Sequence, residues 1–245
     1  MEEWRGAAPA VAAMLLYPPA VLLLQRLLRG LSYDTDGRVL RLLVGVHNAA
    51  LCLASAVLSL GALLAMLRLS PYATAEQFFC LPGGLPTMPP ALNVWVQAFY
   101  LSKYWELLDT VLLVVRKRPL SFLHVYHHAV VIPEIWVLAR SQLPWSLGCV
   151  VMNAGVHIVM YYYFAVASTG KRIWWRGYVT LLQILQFCTA APCAVAYVWF
   201  HLASSSGCSE VGTFLLIGAF DGSLLLLFLR FYLAPQRSGR ERRED

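Results

Sequence analysis

The sequence predicts an all-α membrane protein that forms one transmembrane domain of seven helices over residues 1–245. Of its residues, 59% are hydrophobic and 13% are charged, whereas about 25% of the residues of a soluble domain are charged. Seven apolar stretches approach or exceed the roughly 20 residues with which a helix crosses a bilayer. They cover residues 8–28, 42–67, 92–115, 122–138, 147–167, 178–202 and 211–233. Backbone N–H and C=O groups find no partners in lipid, so stretches of this length are expected to be helices.

The first stretch, residues 8–28, differs from a cleaved signal peptide. It follows two acidic residues, Glu2 and Glu3, and lacks the basic segment with which a signal peptide begins. Pro18 and Pro19 also interrupt it. We therefore expect this stretch to remain in the protein as the first of the seven spans.

The basic residues are distributed unevenly between the two sets of connections that separate the stretches. One set contains Arg26, Arg29, Arg38, Arg41, Arg116, Lys117, Arg118, Lys171, Arg172, Arg176, Arg237, Arg240, Arg242 and Arg243, and the other contains Arg5, Arg68 and Arg140. Because short cytosolic connections retain Lys and Arg, the first set is expected in the cytosol. The N-terminus then lies on the lumenal side, and the basic tail, residues 234–245, in the cytosol. The net charge of +6 is thus explained by topology, and we expect no nucleic-acid partner.

Charged residues within the third stretch are informative, because ionisable side chains in a span are costly and usually face a bundle interior or a cavity. Lys103, Glu106 and Asp109 recur at intervals of three residues, which at about 100° per residue keeps them on one side of a helix. Lys103 and Glu106 are close enough to pair. A structural ion-pair network and a supporting role in catalysis both require this pairing, so the sequence leaves both open.

The fourth stretch carries three histidines on one face. His124, His127 and His128 lie at positions i, i+3 and i+4, which a helix brings together. In the fifth stretch, Asn153 and His157 are related by i and i+4 in the same way. The polar faces of these helices are expected to share one internal cavity, because each would otherwise face lipid.

A metal site is one interpretation of this histidine cluster. A box of the form His-x-x-His-His also occurs in membrane di-iron desaturases and hydroxylases, so metal-dependent lipid oxidation is the alternative function. A dinuclear site needs more histidines than the six of this chain supply, because His47 and His201 lie apart from the other four. We therefore expect no metal, while a single Zn²⁺ held by three histidines stays open.

Acid–base or nucleophilic catalysis is a second interpretation. A neutral imidazole suits a poorly solvated site, because burial disfavours its charged form. One imidazole can act as nucleophile or base while its neighbour orients it or stabilises negative charge. A thiol nucleophile, Cys149 or Cys188 beside His157 and Asn153, is a rival without a local signature. A transporter or receptor with a polar core is the third class.

Two further cysteines, Cys80 and Cys208, lie in connections assigned to the lumenal side. In an oxidising compartment they can form a disulfide that joins the connection before the third span to the one before the seventh. Two free surface thiols are the other interpretation, and the sequence does not separate them.

Four motifs resemble those of the very-long-chain fatty-acid elongases, the ELO family of membrane 3-ketoacyl-CoA synthases. They are KYWELLDT at 103–110, RKRPLSFLHVYHH at 116–128, MNAGVHIVMYYYF at 152–164 and LLQILQF at 181–187. The histidine box alone would be ambiguous with desaturases. The four motifs occur in the order of the family, which makes a chance resemblance improbable.

The resemblance implies a multi-pass enzyme of the endoplasmic reticulum whose last six helices enclose a narrow acyl tunnel. Its substrates would be malonyl-CoA and a long-chain acyl-CoA, with no further cofactor. Its expected partners are membrane lipid and the reductases and dehydratase of the elongation cycle, and a homo- or hetero-oligomer is left open. The family often ends in a dilysine-type retrieval signal, whereas this chain ends RSGRERRED, so location in the reticulum is inferred from the family without that signal.

The resemblance also implies roles for individual residues. His127 would take the acyl group from CoA as an acyl-imidazole, and His157 would assist. Malonyl-CoA would then lose CO₂, and its enolate would attack the acyl group to give a 3-ketoacyl-CoA two carbons longer. The other implied site residues are His124, His128 and Asn153, which would orient groups or stabilise charge, Lys103, Glu106 and Asp109, which would support the site, and Arg116, Lys117, Arg118, Lys171 and Arg172, which would bind the CoA phosphates.

Overall fold

The computed structural model describes residues 6–69, 74–81, 88–171 and 173–234. Within these ranges the fold is all-α, as predicted, and it contains nine helices. They are α1 (Ala8–Arg29), α2 (Arg38–Leu69), α3 (Ala75–Phe79), α4 (Pro90–Val115), α5 (Phe122–Ser141), α6 (Ser146–Ser168), α7 (Arg176–Cys188), α8 (Ala190–Ala203) and α9 (Val211–Leu233).

Six helical segments of the described ranges are long and apolar enough to cross a membrane: α1, α2, α5, α6, α9 and the consecutive pair α7 and α8. They make the chain a multi-pass membrane protein. Helix α4 has 26 residues, which is sufficient length, but it carries Lys103, Glu106 and Asp109 and falls outside this group. The count of seven spans therefore stays a prediction.

The long helices pack into a closed ring. In order around the ring, α2 contacts α6, α6 contacts α7, α7 contacts α9, α9 contacts α5, α5 contacts α4, and α4 returns to α2. Helix α1 packs outside the ring against α4 and α5, and the short α3 packs against α8. This arrangement turns one face of α4, α5 and α6 toward a common interior, where the polar residues of these helices lie.

The sixth predicted stretch, residues 178–202, is helical and lies within one candidate membrane span, Arg176–Ala203. The structure breaks it at Thr189, between α7 and α8. Proline lacks the N–H that a helix needs, and its ring clashes with the carbonyl four residues earlier, which for Pro192 belongs to Cys188. The Thr189 hydroxyl donates to the carbonyl of Gln186 at 2.6 Å and so satisfies a group exposed by the break.

A disulfide between Cys80 and Cys208 fastens the end of the bundle that bears α3. Both cysteines are buried beside Tyr197. The Tyr197 hydroxyl donates to the carbonyl of Ser209 at 2.9 Å, and the Ser209 hydroxyl donates to that of Leu81 at 2.8 Å. The chain segments on either side of the bond are therefore held by hydrogen bonds as well.

Candidate active site

Lys103 and Glu106 of α4 form a buried ion pair at the centre of the bundle. The Lys103 side chain is 0% exposed, and its Nζ lies 2.8 Å from Glu106 Oε1. It also donates to Asn153 Oδ1 of α6 at 3.2 Å and lies 4.1 Å from the centre of the Phe99 ring. The pairing suggested by the sequence is present, and it extends to the amide predicted on the neighbouring helix.

The same carboxylate faces His157 of α6. His157 Nδ1 lies 3.6 Å from Glu106 Oε1, which is slightly beyond hydrogen-bond length. A carboxylate in this position favours the tautomer with hydrogen on Nδ1 and leaves Nε2 as the free nitrogen. Such a histidine can act as a base whose ring is oriented by an acid, the relation found in catalytic triads.

The histidine box of α5 forms a compact group of rings. The centroids of His124 and His128 are 4.5 Å apart, and those of His127 and His128 are 5.1 Å apart. The ring of His124 is held at Nε2 by Thr110 Oγ1 of α4, at 2.8 Å. The hydroxyl of Ser121 accepts from the backbone N–H of His124 at 3.2 Å, which caps α5 where the box begins.

Within the described residues, the ring of His127, unlike that of His124, is not held by a hydrogen bond. The His127 ring packs against the ring of His128. His128 is more deeply buried, and its Nδ1 has no partner either within the described ranges. Both rings line the internal cavity, and an imidazole nitrogen that no protein group occupies is what a nucleophile requires.

The cavity has a volume of about 710 Å³. Of the predicted site residues, it is lined by His124, His127, His128, Asn153, His157, Glu106, Asp109 and Arg116. It continues past Phe164 and Phe231 toward the end of the bundle where Arg116 and Arg176 lie. The structure therefore brings the polar faces of α4, α5 and α6 to one space with a cationic end and an apolar wall. The tunnel expected from the resemblance stays a prediction.

Most of the residues expected to bind CoA lie at this cationic end but outside the cavity. Arg116 lines the cavity, whereas Lys117 donates to the carbonyl of Leu31 at 2.6 Å. Arg118 pairs with Asp36 at 2.8 Å. Lys171 is exposed and does not line the described cavity, and Arg172 lies outside the described residues.

Asp36 connects the loop between α1 and α2 to the cavity entrance. Its carboxylate accepts hydrogen bonds from Arg116 and Arg118. The bond from Arg116 is the main cause that holds the pKa of Asp36 below its usual value. The carboxylate is therefore charged at neutral pH, and its contact with the two guanidinium groups weakens only as the pH falls below the ordinary pKa of Asp, about 3.9.

A second carboxylate, Asp109, organises the other side of the site. Its Oδ1 lies 2.6 Å from His47 Nε2 of α2, and its Oδ2 accepts from the hydroxyl of Tyr161 of α6 at 2.8 Å. Helix α2 packs beside α4 and turns the His47 ring toward Asp109, so His47, which the sequence left apart from the other four histidines, reaches the site through this carboxylate. Asp109 thus links three helices of the ring.

Comparison with protein-family models identifies the same family that the four motifs resemble. The ELO family model, described as the GNS1/SUR4 family, matches residues 5–243. The chain belongs to the ELO family. The match spans all of the helices that build the cavity, so the site lies within the part of this ELO chain that defines its family.

Several relatives of this ELO chain carry curated names. Fatty acid elongase sre1 of Dictyostelium discoideum is 29% identical over 221 residues, which cover 89% of this chain and 81% of the relative. Putative fatty acid elongase 1 of Schizosaccharomyces pombe is 33% identical, over 95% of this chain and 70% of the relative. Very long chain fatty acid elongase 4 of Trypanosoma cruzi is 36% identical, over 58% of this chain and 52% of the relative.

The two cysteines considered as alternative nucleophiles do not line the described cavity. Cys149 is partly buried and Cys188 is exposed, and neither lines the described cavity. Within the described ranges, no group of three or more His, Cys, Asp or Glu side chains is arranged to hold a metal ion. The histidine rings of the box instead contact each other and Thr110.

Three contributors to the site of this ELO chain were missed from the sequence: His47, Tyr17 and Arg176. Tyr17 of α1 hydrogen bonds with Thr110, and Arg176 lines the cavity at its cationic end. No local pattern distinguishes His47 or Tyr17 from other single polar residues in a span. Arg176 belongs to the predicted cytosolic set, and its position at the start of an apolar stretch was the available signal.

Proposed function

We propose that the chain is a condensing enzyme of fatty-acid elongation, a very-long-chain 3-oxoacyl-CoA synthase. It joins a long-chain acyl-CoA to malonyl-CoA and yields a 3-ketoacyl-CoA, CoA and CO₂. The observation that carries this proposal is the cavity into which four histidines from α5 and α6 converge beside a buried Lys103–Glu106 pair. Membership of a family whose named relatives are fatty acid elongases supports it.

The first step transfers the acyl group to the enzyme. The lone pair of a His127 ring nitrogen attacks the thioester carbonyl, the C–S bond breaks, and the CoA sulfur takes the proton that the imidazole loses on acylation. The product is a neutral acyl-imidazole and free CoA. The unoccupied ring nitrogens of His127 support this role. His157 assists as the base that relays the proton, with Glu106 orienting its ring.

The second step forms the carbon–carbon bond. Malonyl-CoA loses CO₂, and the electrons of the broken C–C bond become an enolate. The enolate carbon attacks the acyl carbonyl, the C–N bond to His127 breaks, and the departing imidazole nitrogen takes up a proton from solvent water through His157. Negative charge on the enolate and on the tetrahedral oxygen needs donors in a poorly hydrated space, a role that suits His124, His128 and Asn153 around the cavity.

The cationic end of the cavity provides the site for the CoA phosphates. Guanidinium groups bind phosphate with two parallel hydrogen bonds, and Arg116 and Arg176 both line the cavity there. This end faces the cytosol in the proposed topology, with the N-terminus in the lumen of the endoplasmic reticulum. The 3-ketoacyl product passes to reductases and a dehydratase, which complete the cycle.

The proposal is tested with purified protein, labelled malonyl-CoA and acyl-CoA substrates of several chain lengths. The wild-type chain should form labelled 3-ketoacyl-CoA, and mass spectrometry after incubation with acyl-CoA alone should detect an acyl group on residues 122–128. His127→Ala should abolish both signals. His201→Ala, a histidine outside the cavity, should retain them.

Two results would contradict parts of the proposal. An acyl adduct that persists on the His127→Ala variant would show that another residue is the nucleophile. If no acyl-CoA gave labelled product with the wild-type chain, the proposed condensation would be rejected. Stoichiometric iron in the purified protein would favour the alternative, a metal-dependent lipid desaturase or hydroxylase.

A further inference from the structure

A chain of hydroxyl groups reaches the histidine box from outside the ring of helices. Tyr17 Oη of α1 lies 2.6 Å from Thr110 Oγ1 of α4, and the same Thr110 oxygen lies 2.8 Å from His124 Nε2 of α5. Three helices thus meet in two short hydrogen bonds. No sequence motif predicted this contact, because Tyr17 and Thr110 are separated by 93 residues.

The hydroxyl chain is sealed from solvent. Tyr17 is 8% exposed and Thr110 is 0% exposed. Tyr17 belongs to a small apolar cluster with Val21, Val114 and Ala129. A buried hydroxyl without a partner is costly, and Thr110 supplies the partner of the Tyr17 hydroxyl. Helix α1 also packs along α5 and α4, and its Ala10 is fully buried in the main apolar core.

The order of donors in this chain fixes the tautomer of His124. Either oxygen of this pair can be the donor, and the more acidic phenol favours donation from Tyr17 to Thr110. The Thr110 hydrogen is then directed to His124 Nε2, which accepts it. The ring hydrogen of neutral His124 consequently lies on Nδ1, since the bond made by one ring nitrogen decides the state of the other.

We propose that Tyr17 is a positioning residue that acts through Thr110 to hold His124 in its Nδ1–H tautomer. This inference rests on the proposed condensation, in which His124 donates a hydrogen bond to developing negative charge. Without the Tyr17 hydroxyl, Thr110 can rotate and either accept from or donate to His124, so both tautomers are populated. Helix α1 therefore contributes to the chemistry although it lies outside the ring.

Steady-state kinetics of the full-length protein in detergent or nanodiscs test this role. Tyr17→Phe removes one oxygen and should lower kcat about tenfold, the effect of losing one hydrogen bond of roughly 1.4 kcal/mol. The KM for both CoA substrates should change by less than about twofold, since neither substrate touches Tyr17. If Tyr17→Phe only weakened the packing of the helices, the melting temperature would fall, but kcat would not decrease selectively at unchanged KM.

A double-mutant cycle separates action through Thr110 from an independent effect. Thr110→Val should lower kcat to about the same extent as Tyr17→Phe, and the combined variant should be no slower than Thr110→Val alone. Thr110→Ser retains the hydroxyl and should restore most of the activity. Equal turnover of Thr110→Val and Thr110→Ser would overturn the proposal even if Tyr17→Phe failed to fold.

The matched control is Tyr126→Phe. Tyr126 lies on α5 and its hydroxyl pairs with Ser223 Oγ of α9 at 2.9 Å, away from the described cavity. This variant should keep wild-type kcat. If wild type, Tyr126→Phe and Tyr17→Phe all have the same kcat, the role of Tyr17 is rejected and the proposed function is retained. If wild type forms no 3-ketoacyl-CoA, the proposed function itself fails.

Discussion

Lys103 and Glu106 combine a structural and a chemical task at the centre of the bundle. Burying either charge alone would be strongly unfavourable, and their mutual attraction with the Asn153 contact offsets this cost. The same Glu106 oxygen lies 3.6 Å from His157 Nδ1. The two interpretations that the sequence left open are therefore not exclusive, because one carboxylate neutralises the lysine and orients the histidine.

Variants of this pair should separate the two tasks. Glu106→Gln leaves a buried ammonium without its counter-charge and should destabilise the fold by about 3–5 kcal/mol, measured as thermal unfolding in detergent. Lys103→Met combined with Glu106→Gln removes both charges and should recover most of that loss. Condensation should stay absent in the double variant, because His157 lacks its carboxylate. Recovered turnover would show that the pair is only structural.

At the scale of helices, α2 and α4 approach closely where a glycine faces an aromatic ring. A Cβ atom on Gly61 of α2 would lie 2.2 Å from the ring of Trp95 of α4, closer than any side-chain contact permits. The small residue therefore lets the two helices pack at this point, as small residues do in membrane bundles. This packing places α2, and with it His47, beside α4.

Substitution of this glycine should disturb the contact between the helices. Gly61→Ala must displace Trp95 or separate α2 from α4, and overpacking of this kind costs about 1–3 kcal/mol. The melting temperature should fall. Gly222→Ala on α9 is the matched control, since nothing lies within 4 Å of its added Cβ. Equal melting temperatures for the two variants would contradict the close approach.

Over the whole molecule, connections at the two ends tie together segments that are distant in sequence. At one end Asp36 holds Arg116 and Arg118 beside the cavity entrance. At the other end the disulfide joins Cys80 to Cys208, across a separation of 128 residues. The helices of the ring between them are joined by packing and by side-chain hydrogen bonds, so the covalent and ionic contacts at the ends add to the stability of the ring.

Removal of the disulfide should weaken the fold without touching the site. The combined Cys80→Ser and Cys208→Ser variant should lose about 2–5 kcal/mol of stability, because a cross-link over a long loop restricts the unfolded chain. Thermal unfolding with and without reductant measures this: reductant should lower the melting temperature of wild type and leave the variant unchanged. Cys188→Ser, an exposed free cysteine, is the control. Full reduction of the disulfide is verified by mass spectrometry. An unchanged melting temperature of the fully reduced wild type would contradict the expectation.

The helices and their polar faces were largely predictable from the sequence. Hydropathy placed the long helices to within a few residues, since a span must be apolar over its length whatever its neighbours are. Spacing of three and four residues placed His124, His127 and His128 on one face, because helix geometry is local. The ion pair of Lys103 and Glu106 followed from the same spacing.

The amino-acid sequence by itself thus determined the all-α membrane fold class, the polar faces of α4, α5 and α6, and the family. Only the tertiary structure decided that His47 contacts Asp109, that Tyr17 reaches His124 through Thr110, and that Arg176 lines the cavity. Periodicity states which side of a helix is polar, but not which helix that side meets. Contacts across 62 and 93 residues depend on how the helices pack around the ring, which no local spacing encodes.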